Sequence, residues 1–161
     1  MKLSAGGRYG TTALVDLALH SGKEPVLLKD IARRQEIPLA YFDHIITPLL
    51  AAGIIKSTRG ARGGVITTQA PEKIRLSDVI QALEGSIAPV ECLNSPQFYP
   101  RSDLCVTRDL WAEVKRAMDG VLESTTLQDL VERQKHKWNL NDNGKQRVKG
   151  DYASENNEVV S

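Results

Sequence analysis

The sequence is short of several things, and each shortage removes a class of protein. It holds two cysteines in 161 residues, too few for the disulfide frameworks that brace small secreted domains. The two are not in a Cys-x-x-Cys arrangement, so a dithiol oxidoreductase lacks its motif. No apolar run approaches the roughly 18 residues of a membrane span, and no membrane role is expected. The opening MKLSAGGRYG lacks the apolar centre of a signal peptide, so the expected location is cytoplasmic. No glycine-rich stretch ends in the Gly-Lys-Ser/Thr of a phosphate-cradling loop.

What remains is ordinary in bulk, with 41% hydrophobic and 25% charged residues, as in one soluble domain. The net charge of +1 conceals a division. Residues 1–75 carry 11 Lys/Arg against 6 Asp/Glu, and residues 76–161 carry 10 against 14. A basic front and an acidic rear suit a protein that meets a polyanion on one face.

The stretch from Val26 to Thr68 organises the chain. Leu28 to Gln35 reads as a first short helix with Ile31 and Ala32 inward, Lys29, Arg33 and Arg34 outward, and no N-cap side chain ahead of it. Gln35-Glu36-Ile37 makes the turn, with Ile37 in the core. Pro38 fits the first turn of a second helix reaching about Ala52, with Tyr41, Ile45, Leu49 and Ala52 inward. Ala40, Asp43, His44 and Thr47 fall on its outer side, where His44 and Asp43 have the chemistry to read base edges. Pro48 removes one helical hydrogen bond, at about 3 kcal/mol, which predicts a kink or an early end near Thr47. Ile54–Ser57 and Val65–Thr68 have the β-branched content of paired strands. Between them Arg59 and Arg62 flank glycines, and Gly60 and Gly63 allow backbone to approach a phosphate. The pattern is a winged helix-turn-helix, a device for gripping duplex DNA.

The flanks read as support and sensing. Residues 6–21 form an amphipathic helix on Tyr9, Ala13 and Leu17, with Gly22 as its left-handed end and Arg8 placed to meet a phosphate. Ser77 caps a helix Asp78–Glu84 ended by Gly85. A loop rich in Pro, Ser and Asn carries Cys92 to Cys105, and loops of that length are usually functional. The longest helix, 107–123, has an apolar face of Leu110, Trp111, Val114, Met118, Val121 and Leu122. That face fits either a two-fold dimer or burial on the same chain. Thr126-Leu127-Gln128-Asp129 has capping-box character and opens a last helix to about Lys135. The expected organisation is a DNA-binding domain over 1–85, a cysteine-containing sensor loop over 86–106, dimerisation helices over 107–136 and a disordered tail over 137–161. The fold class is mainly α with a small β-hairpin wing.

MKLSAGGRYG, IARRQEIPLAYFDHIITPLLAAGII, STRGARGGV, LSDVIQALEG and CVTRDLW with TTLQDL stand in one order over residues 1 to about 135. In this combination the chain resembles the Rrf-type bacterial winged helix-turn-helix transcription regulators (IscR/NsrR/CymR-like). The resemblance implies a homodimeric DNA-binding regulator, expected to be a repressor, acting on a roughly palindromic operator in double-stranded DNA. It implies that Arg59 enters the minor groove and that the 107–123 helix crosses its partner. It also implies a signal: redox state, iron–sulfur status, nitric oxide or a thiol metabolite. Cluster-binding members carry three cysteines and a fourth, non-cysteine ligand. Here Cys92 and Cys105 remain, Tyr99 stands near the middle position, and Arg108 and Arg8 stand where some members place a histidine or an acidic ligand. An iron–sulfur cluster would need completion by residues such as Glu91, Asp103 or His20, or by a partner subunit; a thiol switch and cysteines with no sensing role are the other readings. Pro48 and Ala51 replace basic residues of relatives. A winged-helix protein-interaction module, acting through a partner protein, is the alternative function.

Overall fold

The computed structural model describes residues 3–22, 24–58 and 63–154, from 142 onward as backbone. The first helix, α1 (Ala5–His20), starts at Ser4, whose Oγ accepts the Gly7 N–H at 3.1 Å. Its buried stripe is Ala13, Leu14 and Leu17, as the 3-4 spacing predicts. The helix does not end on a left-handed Gly22. Ser21 is extended at φ −76°, and positive φ among the described glycines occurs at Gly53 and Gly85. The chain must leave α1 extended because Val26 is drawn into the wing, exchanging hydrogen bonds of 2.9 Å in both directions with Val65.

Helix α2 (Leu28–Arg34) follows, with no side-chain cap and with Ile31 and Ala32 buried. Glu36 takes a left-handed φ of 52°, an uncommon conformation for a side-chain-bearing residue. The Ile37 N–H then reaches the Ala32 carbonyl at 3.0 Å, and Ile37 is buried. The second helix begins later than its proline suggests. Pro38 is extended at ψ 126°, a tight 3-10 turn covers Leu39–Tyr41, and α3 runs Phe42–Ala51. The buried set is therefore Phe42, Ile45, Ile46 and Leu49, while Ala52 is exposed. The expected kink or stop at Thr47 is not found, since α3 continues through Pro48 to Ala51. One lost bond is tolerable because Ile45, Ile46 and Leu49 anchor the helix on both sides of it. His44, whose carbonyl loses that donor, lies in the exposed row, where water can serve it.

The wing pairs β1 (Ile55–Thr58) antiparallel with β2 (Gly64–Thr67), Ile55 opposite Thr67 and Thr58 opposite Gly64. Val26 adds one bridge on the far side of β2. A Cβ at Gly64 would lie 2.5 Å from the Val26 carbonyl oxygen, so this crossing admits glycine alone.

Helix α4 (Leu76–Glu84) crosses α1 at Gly10, where a Cβ would come within 2.5 Å of the Leu83 side chain. Ser77 is not its cap: Arg75 is, without a side-chain bond. The leading donor is satisfied in tertiary structure instead, the Leu76 N–H reaching the Thr125 carbonyl at 2.9 Å. Gly85 ends α4 at φ 70°. Three 3-10 turns (Glu91–Leu93, Pro96–Phe98, Ser102–Leu104) lead to α5 (Val106–Ser124). The capping box before α6 (Leu127–Ser154) forms as read: Asp129 accepts the Thr126 N–H at 2.8 Å and returns its own N–H to Thr126 Oγ1 at 3.2 Å. The Thr126 N–H, and then the Thr126 hydroxyl donating to the same carboxylate oxygen at 2.8 Å, hold the Asp129 carboxyl below the usual carboxylate range.

Two features differ from the expected organisation. Leu127 and Val131 of α6 are buried, Leu127 in the same core as Leu14, Ile45 and Val79. And α6 runs on to Ser154, where a disordered tail is expected from 137. Up to that point the segment holds no proline, and adding residues to an existing helix is far easier than nucleating one.

Candidate DNA-binding face and cysteine loop

Ala40, Asp43, His44 and Thr47 are all exposed along the 3-10 turn and α3. They stand on the opposite side from Phe42, Ile45, Ile46 and Leu49, so the core orients this outward row. Aromatic contacts tie it to α1. The His44 ring lies 5.5 Å from Tyr41, Tyr41 meets Tyr9 edge-on at 5.7 Å, and the Arg8 guanidinium sits 5.3 Å over Tyr9. These contacts run in series from His44 on α3 to the Arg8 cation on α1. In the sequence Tyr9 and Tyr41 read only as apolar stripe members; that they connect Arg8 to His44 depends on how α1 and α3 cross.

Lys29 is exposed on α2, and Arg33 is held 3.3 Å from Asp30. Arg34 is exposed, as expected, and its guanidinium also reaches back to α1. It forks onto Asp16, with Nε at 3.1 Å from both carboxylate oxygens and Nη2 at 2.6 Å from one, while Gln35 donates to the other at 2.7 Å. Asp16 is 1% exposed. The hydrogen bonds to Asp16 push the Arg34 guanidinium's pKa further up. His20 joins the same joint, with Nδ1 2.8 Å from the Asp16 carbonyl and 3.6 Å from its carboxylate. A buried aspartate mid-helix carried no signal in the sequence, because its partners come from another helix. Gly63 is half-buried just before β2; Arg59, Gly60 and Arg62 lie outside the described residues.

Cys92 and Cys105 both line one cavity of about 290 Å³, with Tyr99, Arg101 and Arg108 in its wall. Both thiols are free. Cys105 stands immediately before α5, its sulfur 3.1 Å from Thr107 Oγ1. That hydrogen bond, then the Arg108 backbone N–H, lowers its pKa below the ordinary thiol value, as at other helix N-termini. Arg108 also donates from Nε to the Cys92 carbonyl at 3.4 Å, linking the two ends of the loop.

These residues do not fit an iron–sulfur cluster held by one chain. Four ligands are required, and among the described residues no group of three or more His, Cys, Asp or Glu is placed to hold a metal. Of the completing residues considered above, Glu91 accepts from Asn94 and Ser95, both at 3.4 Å, and His20 lines a different cavity beside Asp30 and Arg34. Among the described residues no helix is long and apolar enough to cross a membrane.

Known proteins share this fold. The Rrf2 family model, described as an iron-dependent transcriptional regulator, matches residues 3–133. Protein rrf2 of Nitratidesulfovibrio vulgaris is 44% identical over 131 residues, 81% of this chain and 87% of its own. Among solved structures, CymR of B. subtilis, described as the global cysteine regulator, superposes with a TM-score of 0.69 at 38% identity. The match covers 83% of this chain and 98% of CymR. IscR of T. potens gives 0.68 at 38% identity over 83% and 88% of the two chains.

Proposed function

The chain belongs to the Rrf2 family of transcriptional regulators, and from that premise we propose that it is a homodimeric cytoplasmic repressor of a roughly palindromic operator. It is a DNA-binding regulator and not an enzyme. The observation that carries the reading is the exposed row Ala40, Asp43, His44 and Thr47 on a helix whose other side is fixed by the core. In a helix-turn-helix such a row enters the major groove. Lys29 and Arg8 supply phosphate contacts beside it, and Arg59 and Arg62, with the backbone at Gly60 and Gly63, supply those of the wing. Two copies on a two-fold axis set the spacing of the half-sites.

The test is a salt series of fluorescence anisotropy on sites selected from random duplexes. Affinity should fall steeply with salt through counterion release. Arg59→Ala should weaken binding and flatten the logarithmic salt slope by about one. If random DNA binds as tightly as the selected sites at moderate salt, the chain is a protein-interaction module instead.

For the signal, the cysteine loop supports thiol chemistry rather than a one-chain cluster, with Cys105 as the more reactive sulfur. In protein purified without oxygen, both cysteines should react at once with iodoacetamide. Because the Cys105 pKa is lowered, its rate should rise and level off at lower pH than that of N-acetylcysteine, and Thr107→Val should move the profile back up. Protection of both thiols, relieved by an iron chelator, would instead mean a cluster completed by the partner subunit.

A further inference from the structure

A second cavity, of about 750 Å³, lies between α1, the end of α2 and α6. It is separate from both the reading row and the cysteine loop, and its size falls in the range of small-molecule sites. Its apolar wall is Val15 and Leu19 from α1 with Leu130 from α6, and Trp138 stands at its edge, 47% exposed. Its polar wall is cationic: Arg133 and Lys137 stand one turn apart on α6 with His136 beside them. The one carboxylate in the lining, Asp16, is already engaged by Arg34 and Gln35. With Arg133 set against the Asp129 carboxylate one turn back on α6, the lining still carries more cationic than anionic side chains.

We propose that this cavity binds a small organic carboxylate with an aromatic or apolar body. The carboxylate pairs with Arg133 and Lys137, and the body lies on Val15, Leu19 and Leu130 under the Trp138 indole. Arginine suits the first contact because its planar fork matches a carboxylate, and a flat ring suits the last. The site also touches the joint that sets the helix-turn-helix. Asp16, Arg34 and Gln35 line it, and they tie α1 to the end of α2 just before the turn. A ligand held against this joint changes operator affinity to the extent that it binds the joint's arrangements unequally. The regulatory half of the proposal rests on the DNA-binding reading; the binding half does not.

The chain has two tryptophans, so Trp111→Phe leaves Trp138 as the sole indole reporter. The full chain in this background is titrated with 3-phenylpropionate and, separately, with its neutral amide, by fluorescence and calorimetry. The acid should give a saturable change in Trp138 emission and a matching heat. The amide should bind at least about tenfold more weakly, and Arg133→Gln with Lys137→Gln should weaken the acid by a similar factor. Both substituted residues are exposed, and an unchanged melting temperature verifies that the fold is intact. Absence of saturable binding, equal affinity for acid and amide, or unchanged affinity in the double variant overturns the site. Operator anisotropy with and without saturating acid tests transmission: a shift in affinity supports it, and no shift overturns it. Loss of operator binding under every condition would count against the DNA-binding reading, and the ligand titrations would still decide the site.

Discussion

Asp16→Ala should destabilise the protein by about 3 kcal/mol, the lower part of the range for removing one member of a buried ion pair. The carboxylate is almost fully buried and accepts four hydrogen bonds from Arg34 and Gln35. Removing it strands a guanidinium whose side chain is only 29% exposed. That partial exposure lets some water in, which is why the lower end applies. The loss is large against the 5–15 kcal/mol of a typical domain, and thermal or urea unfolding would measure it. The test of cause is Asp16→Leu combined with Arg34→Met, which removes both charges and keeps apolar bulk. Stability should recover most of the way, because two neutral partners leave no stranded charge. Operator affinity should recover less, since the joint would lose the directional bonds that aim α2. If the double variant is no more stable than Asp16→Ala, the pair is not the source of the loss.

The second large effect concerns α5. Its 19 residues include none that is buried, and Leu110 and Val121 are 54% and 64% exposed. The two readings left open by the sequence each take part of the apolar face. Met118 and Leu122 line a cavity with Ile80 and Glu84 of α4 in the same chain, while Leu110, Trp111 and Val121 face outward. An outward apolar stripe of this kind suits a second copy, as the proposed dimer requires. Leu110→Glu with Val121→Glu should therefore yield monomers by sedimentation, with the wing and α1–α4 still folded by circular dichroism. Operator affinity should fall at least about a hundredfold, because each half-site is then bound without its linked neighbour. A double variant that stays dimeric would place the dimer contact elsewhere.

How much of this was legible beforehand varied with the range of the interaction. The turn at Gln35–Ile37, the capping box at Thr126–Asp129 and the end of α4 at Gly85 could be read because each is decided within a few residues. The outward row on α3 could be read for the same reason. Of the inward row, Ile45 and Leu49 are fully buried and Tyr41 packs on the core, while Ala52 is exposed; the extended step and 3-10 turn from Pro38 to Tyr41 add Phe42 and Ile46 to the buried side. Pro48 does not break α3, because packing on both sides of it outweighs one missing hydrogen bond. Ser77 does not cap α4, because the Thr125 carbonyl, distant in sequence, takes the helix's first donor. Nothing local announced that α6 would share the core of the winged domain through Leu127.

The sequence by itself determined the class of protein, through the spacing of apolar residues over 26–68, the Arg/Gly wing and the family's ordered segments. These are local or statistical properties, and they survive without knowledge of which helix meets which. Only the tertiary structure decided that Arg34 pairs with Asp16, that Tyr9 and Tyr41 connect Arg8 to His44, and that both cysteines line one cavity. It also brought α6 cations and α1 hydrophobes to the lining of one cavity. Each of these joins residues far apart in the chain, and such pairings follow from helix crossings that no periodicity encodes.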